Sequence, residues 1–169
     1  MRILCLGDIH YPDRTVFDET LINKIKEEKP DLIICVGDYT DETVVEKIRN
    51  ICKNTIFIKG ESDYLDFPEY EEITVEGYKI GVFHGAYIKP EGDIEKLIRI
   101  IEERNLDILV TGHTHRPLLF TEDSKIIINP GSLTGAFSVS GIVSYMSYAV
   151  LDINGNNMTI EFKLKKLTK

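Results

Sequence analysis

Three stretches share one design: RILCLGDIH at 2–10, LIICVGDY at 32–39 and TIFIKGESD at 55–63. Each opens with a short, largely aliphatic run, passes through a glycine and carries an acidic residue directly after it. Runs this short and this apolar predict strands, a buried one over Arg2 to Leu6 and two more over Leu32 to Val36 and Thr55 to Ile58. Between them lie segments of helical period. Thr15 to Lys29 carries Val16, Leu21, Ile22 and Ile25 on one stripe and is expected to stop at Pro30. Asp41 is placed as the cap of a second helix bearing Val44, Val45, Ile48 and Ile51. Strand, helix, strand, helix, strand predicts a parallel sheet covered by helices.

Downstream the pattern changes. Glu72 to Val75 and Lys79 to Phe83 flank the hairpin signal Glu76-Gly77, which brings in antiparallel pairing. A further helix is expected over Gly92 to Arg104, with strands at Asp107 to Val110, Lys125 to Ile128, Ser144 to Ile153 and Met158 to Leu164. The fold class is α/β: two packed mixed β-sheets flanked by helices. At 169 residues with 43% hydrophobic side chains, one domain over 1–169 is expected.

Composition narrows the function classes. No apolar run approaches a membrane span, and Met1 leads into a strand without a signal-peptide layout, so a cytoplasmic protein is expected. Cys5, Cys35 and Cys52 are spaced for neither a disulfide framework nor a zinc motif and suit core positions. A net charge of −8 disfavours long nucleic acid, so a phosphate-bearing ligand needs a local positive centre.

That centre is suggested by the strand ends. Asp8 and His10 follow the first strand, Asp38 the second, Glu61 and Asp63 the third, His84 the hairpin, and His113 and His115 the strand after the third helix. All four histidines of the chain fall in these clusters. In open α/β sheets the carboxyl ends of strands converge on the ligand crevice. Residues two apart in an extended segment face the same way, so Asp8 with His10, and His113 with His115, are expected to act as pincers. Mixed nitrogen and oxygen donors suit Mn²⁺, Fe²⁺, Co²⁺, Ni²⁺ or Zn²⁺ better than Ca²⁺ or Mg²⁺. Seven donors exceed one ion's needs but serve two ions sharing a carboxylate, the usual apparatus for attack on phosphorus.

GDIH at 7–10, VGDY at 36–39, GESD at 60–63, FHG at 83–85 and GHTH at 112–115 resemble, in order, the five motifs of the calcineurin-like metallophosphoesterases. INPGS at 128–132 is similar to the small prokaryotic phosphodiesterase branch. GDIHYPDR at 7–14, IKGESD at 58–63 and INPGSLTGA at 128–136 also resemble the phosphoesterase-like subunit of the eukaryotic retromer coat. The resemblance implies two divalent transition-metal ions, Mn²⁺ ahead of Ni²⁺, Co²⁺, Fe²⁺ or Zn²⁺. One would be held by Asp8, His10 and His115 and the other by Glu61, His84 and His113, with Asp38 bridging and Asp63 behind it. Asp8, Asp38, Asp63 and His84 are the implied catalytic residues, a water or hydroxide shared by the metals is the implied nucleophile, and the implied partner is a small phosphate ester.

This chain departs from the family pattern at three points. Glu61 stands where the family usually has Asn, lowering the formal charge of a two-cation site to roughly +1 before hydroxide binds. Ser62 replaces the histidine that assists the leaving group in many relatives, and Ala86 replaces a second histidine after Gly85. Arg14 and Arg116 lie beside the pincers as candidate phosphate contacts, and Asn129 to Ser132 reads as a supporting turn. The alternative to a hydrolase is an interaction scaffold like the retromer subunit, in which Asn replaces the bridging Asp. A nuclease acting on long nucleic acid comes last, for want of a basic stripe.

Overall fold

In the computed structural model, which describes residues 1–17, 19–138 and 145–166, the first strand β1 (Arg2–Leu6) lies at the centre of a sheet. On one side it pairs in parallel with β2 (Leu32–Cys35), which pairs in parallel with β3 (Thr55–Phe57). On the other side it pairs antiparallel with β9 (Tyr145–Asn154), whose hairpin partner β10 (Asn157–Lys166) forms the edge. The second sheet has the order β4-β5-β6-β8-β7. Its strands are β4 (Tyr70–Val75), β5 (Tyr78–Phe83), β6 (Ile108–Val110), β7 (Leu118–Glu122) and β8 (Lys125–Asn129), with β5, β6 and β8 parallel and β4 and β7 antiparallel to their neighbours.

Three apolar layers hold the sheets and helices together. Ile3, Cys5 and Ile34 of the first sheet, with Val36 directly after β2, meet Ile80, Val82, Ile108, Val110 and Ile128 of the second. The alternate residues Leu4, Leu6, Ile33 and Cys35 point away, against helices α1 (Glu19–Glu27) and α2 (Glu42–Ile51). Leu97 and Ile101 of α3 (Ile94–Arg104) cover Leu109 and Ile127 on the far face of the second sheet. Both faces of β1, β2 and β6 are thereby buried, which is why their sequences are continuously apolar rather than alternating. The expected two packed mixed sheets with helices outside are observed.

Several boundaries differ from the sequence reading. The first helix begins at Glu19, not Thr15, because the Thr15 hydroxyl donates to the Ile9 carbonyl at 2.7 Å and Val16 is exposed. It ends at Glu27, before Pro30, with Lys29 already in the left-handed region. Asp41 is the expected cap of α2, accepting the Thr43 N–H at 2.8 Å, and Asp93 caps α3, so that helix starts two residues later than expected. Strand β7 was not anticipated. It is joined to β8 through Asp123 and Ser124, both at positive φ, a tight hairpin turn formed without the asparagine-glycine signal that usually announces it. The expected start of β9 at Ser144 lies outside the described residues.

Candidate metal centre

The carboxyl ends of β1, β2, β5 and β6 and the loop after β3 point to one crevice, and two groups of metal-ligating side chains meet there. Asp8, His10, Asp38 and His115 form the first, fully buried; Glu61, His84 and His113 form the second, which opens toward solvent at Glu61. Asp38 lies between them: its Oδ2 is 3.1 Å from His10 Nε2 and 3.6 Å from His84 Nε2. His10 Nε2 and His115 Nε2 are 3.2 Å apart. Glu61 reaches His84 Nε2 at 2.5 Å and His113 Nδ1 at 2.7 Å. All seven residues named as ligand candidates are thus brought together.

The convergence is not that of extended pincers. Asp8, His10, Asp38, His113 and His115 all have φ between 50° and 69°, the left-handed region that non-glycine residues rarely enter. Five such residues in one crevice mark backbone held in costly conformations by its surroundings. The supports are visible. Ile9 and His10 donate their N–H groups to the Asp38 carbonyl, and the His113 N–H donates to Asp8 Oδ1 at 3.1 Å. Gly60 permits the approach of the β3 loop to Asp38, since a Cβ there would fall 2.1 Å from Asp38 Oδ1.

Ring orientation is set from behind. His84 Nδ1 lies 2.6 Å from the Val36 carbonyl and His115 Nδ1 2.6 Å from the Ala136 carbonyl, so both rings donate through Nδ1 and turn Nε2 inward. Asp63 accepts four backbone N–H groups, from Asp38, Gly60, Tyr39 and Thr40, at 2.7 to 2.9 Å, and so holds the loop that presents Asp38. Ser62 donates its N–H and its hydroxyl to the two Asp38 oxygens at 2.9 and 3.2 Å. Ser132 donates its hydroxyl to the Asp8 carbonyl at 2.6 Å, and Asn129 donates to the Gly112 carbonyl and Thr114, in keeping with the supporting turn expected there. Arg14 reaches the Phe137 carbonyl at 3.3 Å, and the Arg116 backbone N–H donates to Thr114.

Charge in the cluster is strongly coupled. Burial pushes the Asp8 carboxyl up, with His84 and His115 opposing. Burial acts in the same direction on Asp38, but the His10 hydrogen bond and the His84 charge outweigh it and hold that carboxyl low. Glu61 likewise falls well below the carboxylate range through His113 and His84, despite burial. Although burial disfavours the imidazolium, Glu61, Asp8 and Asp38 lift His84 to about 10. The carboxylates therefore call for positive charge at this point. Asp8 Oδ2 is a buried oxygen without a hydrogen-bond partner among the described residues, and the imidazoles and carboxylates gathered around it make a mixed nitrogen and oxygen set that fits divalent transition metals.

Glu91 was missed by the sequence reading. Its Oε1 stands 3.5 Å from His113 Nε2, the ring nitrogen facing away from Glu61, where a carboxylate can orient a metal-binding imidazole. It comes from the loop before α3, and no local pattern distinguishes it from other surface glutamates.

The family model described as the calcineurin-like phosphoesterase superfamily domain matches residues 1–156. A Methanocaldococcus jannaschii protein named a probable metallophosphoesterase is 36% identical over 140 residues, which cover 79% of this chain and 69% of that protein. Among solved structures, Vps29 of Entamoeba histolytica complexed with Zn²⁺ is 28% identical with a TM-score of 0.89, covering 99% of this chain and 98% of that one. A Thermotoga maritima protein solved by NMR is 30% identical with a TM-score of 0.67, covering 98% and 99%.

Proposed function

We propose that this chain, which belongs to the calcineurin-like phosphoesterase superfamily, is a dinuclear-metal phosphoesterase that hydrolyses phosphodiesters or activated phosphomonoesters. The observation that carries the reading is Asp38 Oδ2, within 3.1 Å of one ligand group and 3.6 Å of the other, where a carboxylate can join two cations. Asp8, His10 and His115 would hold one ion, Glu61, His84 and His113 the other, and Asp38 both, with Mn²⁺ the first metal to test. When bound, the ions would lower the pKa of a shared water toward neutrality and act as Lewis acids toward the phosphoryl oxygens.

The protein's own residues then have separable tasks. The Val36 and Ala136 carbonyls keep the lone pairs of His84 and His115 inward. Asp63 and Ser62 position Asp38. Neither is presented as a proton donor: the Asp63 oxygens are engaged by four N–H groups and the Ser62 hydroxyl by Asp38. A departing alkoxide would leave without general-acid help from this loop, so substrates with good leaving groups are favoured.

A second reading, a protein-interaction scaffold, has in its favour the likeness to Vps29. One experiment separates the two. Metal-stripped protein is reloaded with Mn²⁺, Ni²⁺, Co²⁺, Zn²⁺ or Mg²⁺, the bound ions are counted, and hydrolysis of bis-p-nitrophenyl phosphate and p-nitrophenyl phosphate is followed. Two ions per chain with metal-dependent turnover are expected. A single ion, or no hydrolysis with any metal, overturns the enzyme reading.

A further inference from the structure

Beside the metal centre lies a cavity of about 570 Å³ whose near wall is Glu61 and His84, two of the three members of the open ligand group. Its volume is that of a small-molecule site, well beyond a phosphate group alone. The lining also carries the aromatic side chains Phe83, Tyr87 at 84% exposure, and Tyr70, one face of which Arg104 covers, with Ile100 among them. Most of Tyr87 stays open to solvent, so packing within the fold does not explain it.

The charges of the cavity decide what kind of group it suits. Arg104 is already engaged, its guanidinium stacked 4.0 Å from the Tyr70 ring centre and 3.3 Å from Glu72. Asp63 is turned into the Asp38 loop by its four N–H donors. The other charges of the lining, apart from the metal-group Glu61 and His84, are Lys59, Glu69 and Glu103, one positive against two negative. Such walls offer a second anionic group no net attraction, while flat aromatic faces have something to stack on.

We propose that this cavity receives the alcohol half of the ester and selects a neutral, flat aromatic group, such as a nucleoside or aryl alcohol, over an alkyl or polyanionic one. The inference rests on the phosphoesterase reading, with phosphorus held at the two ligand groups. It concerns recognition and is separate from leaving-group chemistry, because binding of a molecule that cannot be hydrolysed reads it directly.

The test is calorimetric titration of the Mn²⁺-loaded protein with methylphosphonate, phenylphosphonate and 4-phosphonobenzoate, which have no leaving group. Phenylphosphonate is expected to bind about tenfold more tightly than methylphosphonate, with the added carboxylate of 4-phosphonobenzoate weakening binding again. Tyr87→Ala, at an exposed position the fold does not depend on, should remove most of the phenyl preference and leave methylphosphonate affinity unchanged. Equal affinity for the methyl and phenyl compounds, tighter binding of the carboxylate, or a phenyl preference that survives Tyr87→Ala each overturn the proposal while the metal reading stands. Failure of methylphosphonate to bind in a metal-dependent way removes the metal reading and this inference with it.

Discussion

Asp63→Asn tests whether the Asp38 loop is held as argued. The carboxylate accepts Asp38 and Gly60 N–H through Oδ2 and Tyr39 and Thr40 N–H through Oδ1. Asparagine has the same shape but one acceptor oxygen, so two of the four N–H groups would face an NH₂ donor. Each buried donor left unsatisfied costs about 1–3 kcal/mol, giving roughly 2–6 kcal/mol in all. For a chain of this length that corresponds to a fall in Tm of roughly 5–20 °C. Asp63→Ala, which removes all four acceptor contacts, should cost more. Urea unfolding of the metal-free parent and both variants at neutral pH supplies the free energies, and titration with Mn²⁺ should show weaker binding in the variants. If Asp63→Asn lies within about 0.5 kcal/mol of the parent, the four N–H groups have other acceptors and the positioning role assigned to Asp63 is wrong.

Three further outcomes follow from the same geometry. Asp38→Asn keeps the side-chain shape but removes the charge between the ligand groups; hydrolysis of an aryl phosphodiester should fall at least about 100-fold with the circular-dichroism spectrum unchanged, and undiminished turnover refutes the two-metal reading. With the Ser62 hydroxyl engaged by Asp38 and no histidine beside it, the parent should hydrolyse an aryl diester far faster than an alkyl diester, and Ser62→His should narrow that ratio; equal rates in the parent, with chemistry limiting, point to another proton donor. Away from the site, the Tyr70 hydroxyl, Lys79 and Arg104 lower Glu72 from an ordinary 4.5 to about 2, so its stabilising contribution is complete above pH 4.5 and lost as pH falls toward 2. Stability of the parent should therefore decline more steeply than that of Glu72→Gln across this window, and parallel curves in acid denaturation would show that the group is not coupled to folding.

Much of the fold was legible because its signals are local. The aliphatic runs at Arg2 to Leu6 and Leu32 to Cys35, the helical stripes of α2 and α3 and the Glu76-Gly77 turn are each dictated by residues a few positions apart. Strand β7 was not legible, since Asp123 and Ser124 adopt a turn their types do not advertise and only pairing with β8 makes Leu118–Glu122 a strand. The start of α1 was misread because Thr15 is held by the Ile9 carbonyl, a tie between turns that periodicity does not register.

At the site, the sequence alone determined which side chains could serve: histidines and carboxylates placed beside glycines at strand ends, in an order and spacing that limit the chemistry. How they meet was decided by tertiary structure. Left-handed backbone at Asp8, His10, Asp38, His113 and His115 replaces the expected extended pincers, and it is sustained by bonds between residues far apart in sequence, such as the His113 N–H to Asp8. The inward-facing nitrogens of His84 and His115, the locking of Ser62 and Asp63 onto the Asp38 loop, the approach of Glu91 to His113 and the aromatic cavity beside Glu61 have the same origin. Each depends on the distance and direction between atoms on different strands and loops, quantities that no residue's own type or neighbours contain until the two sheets have packed.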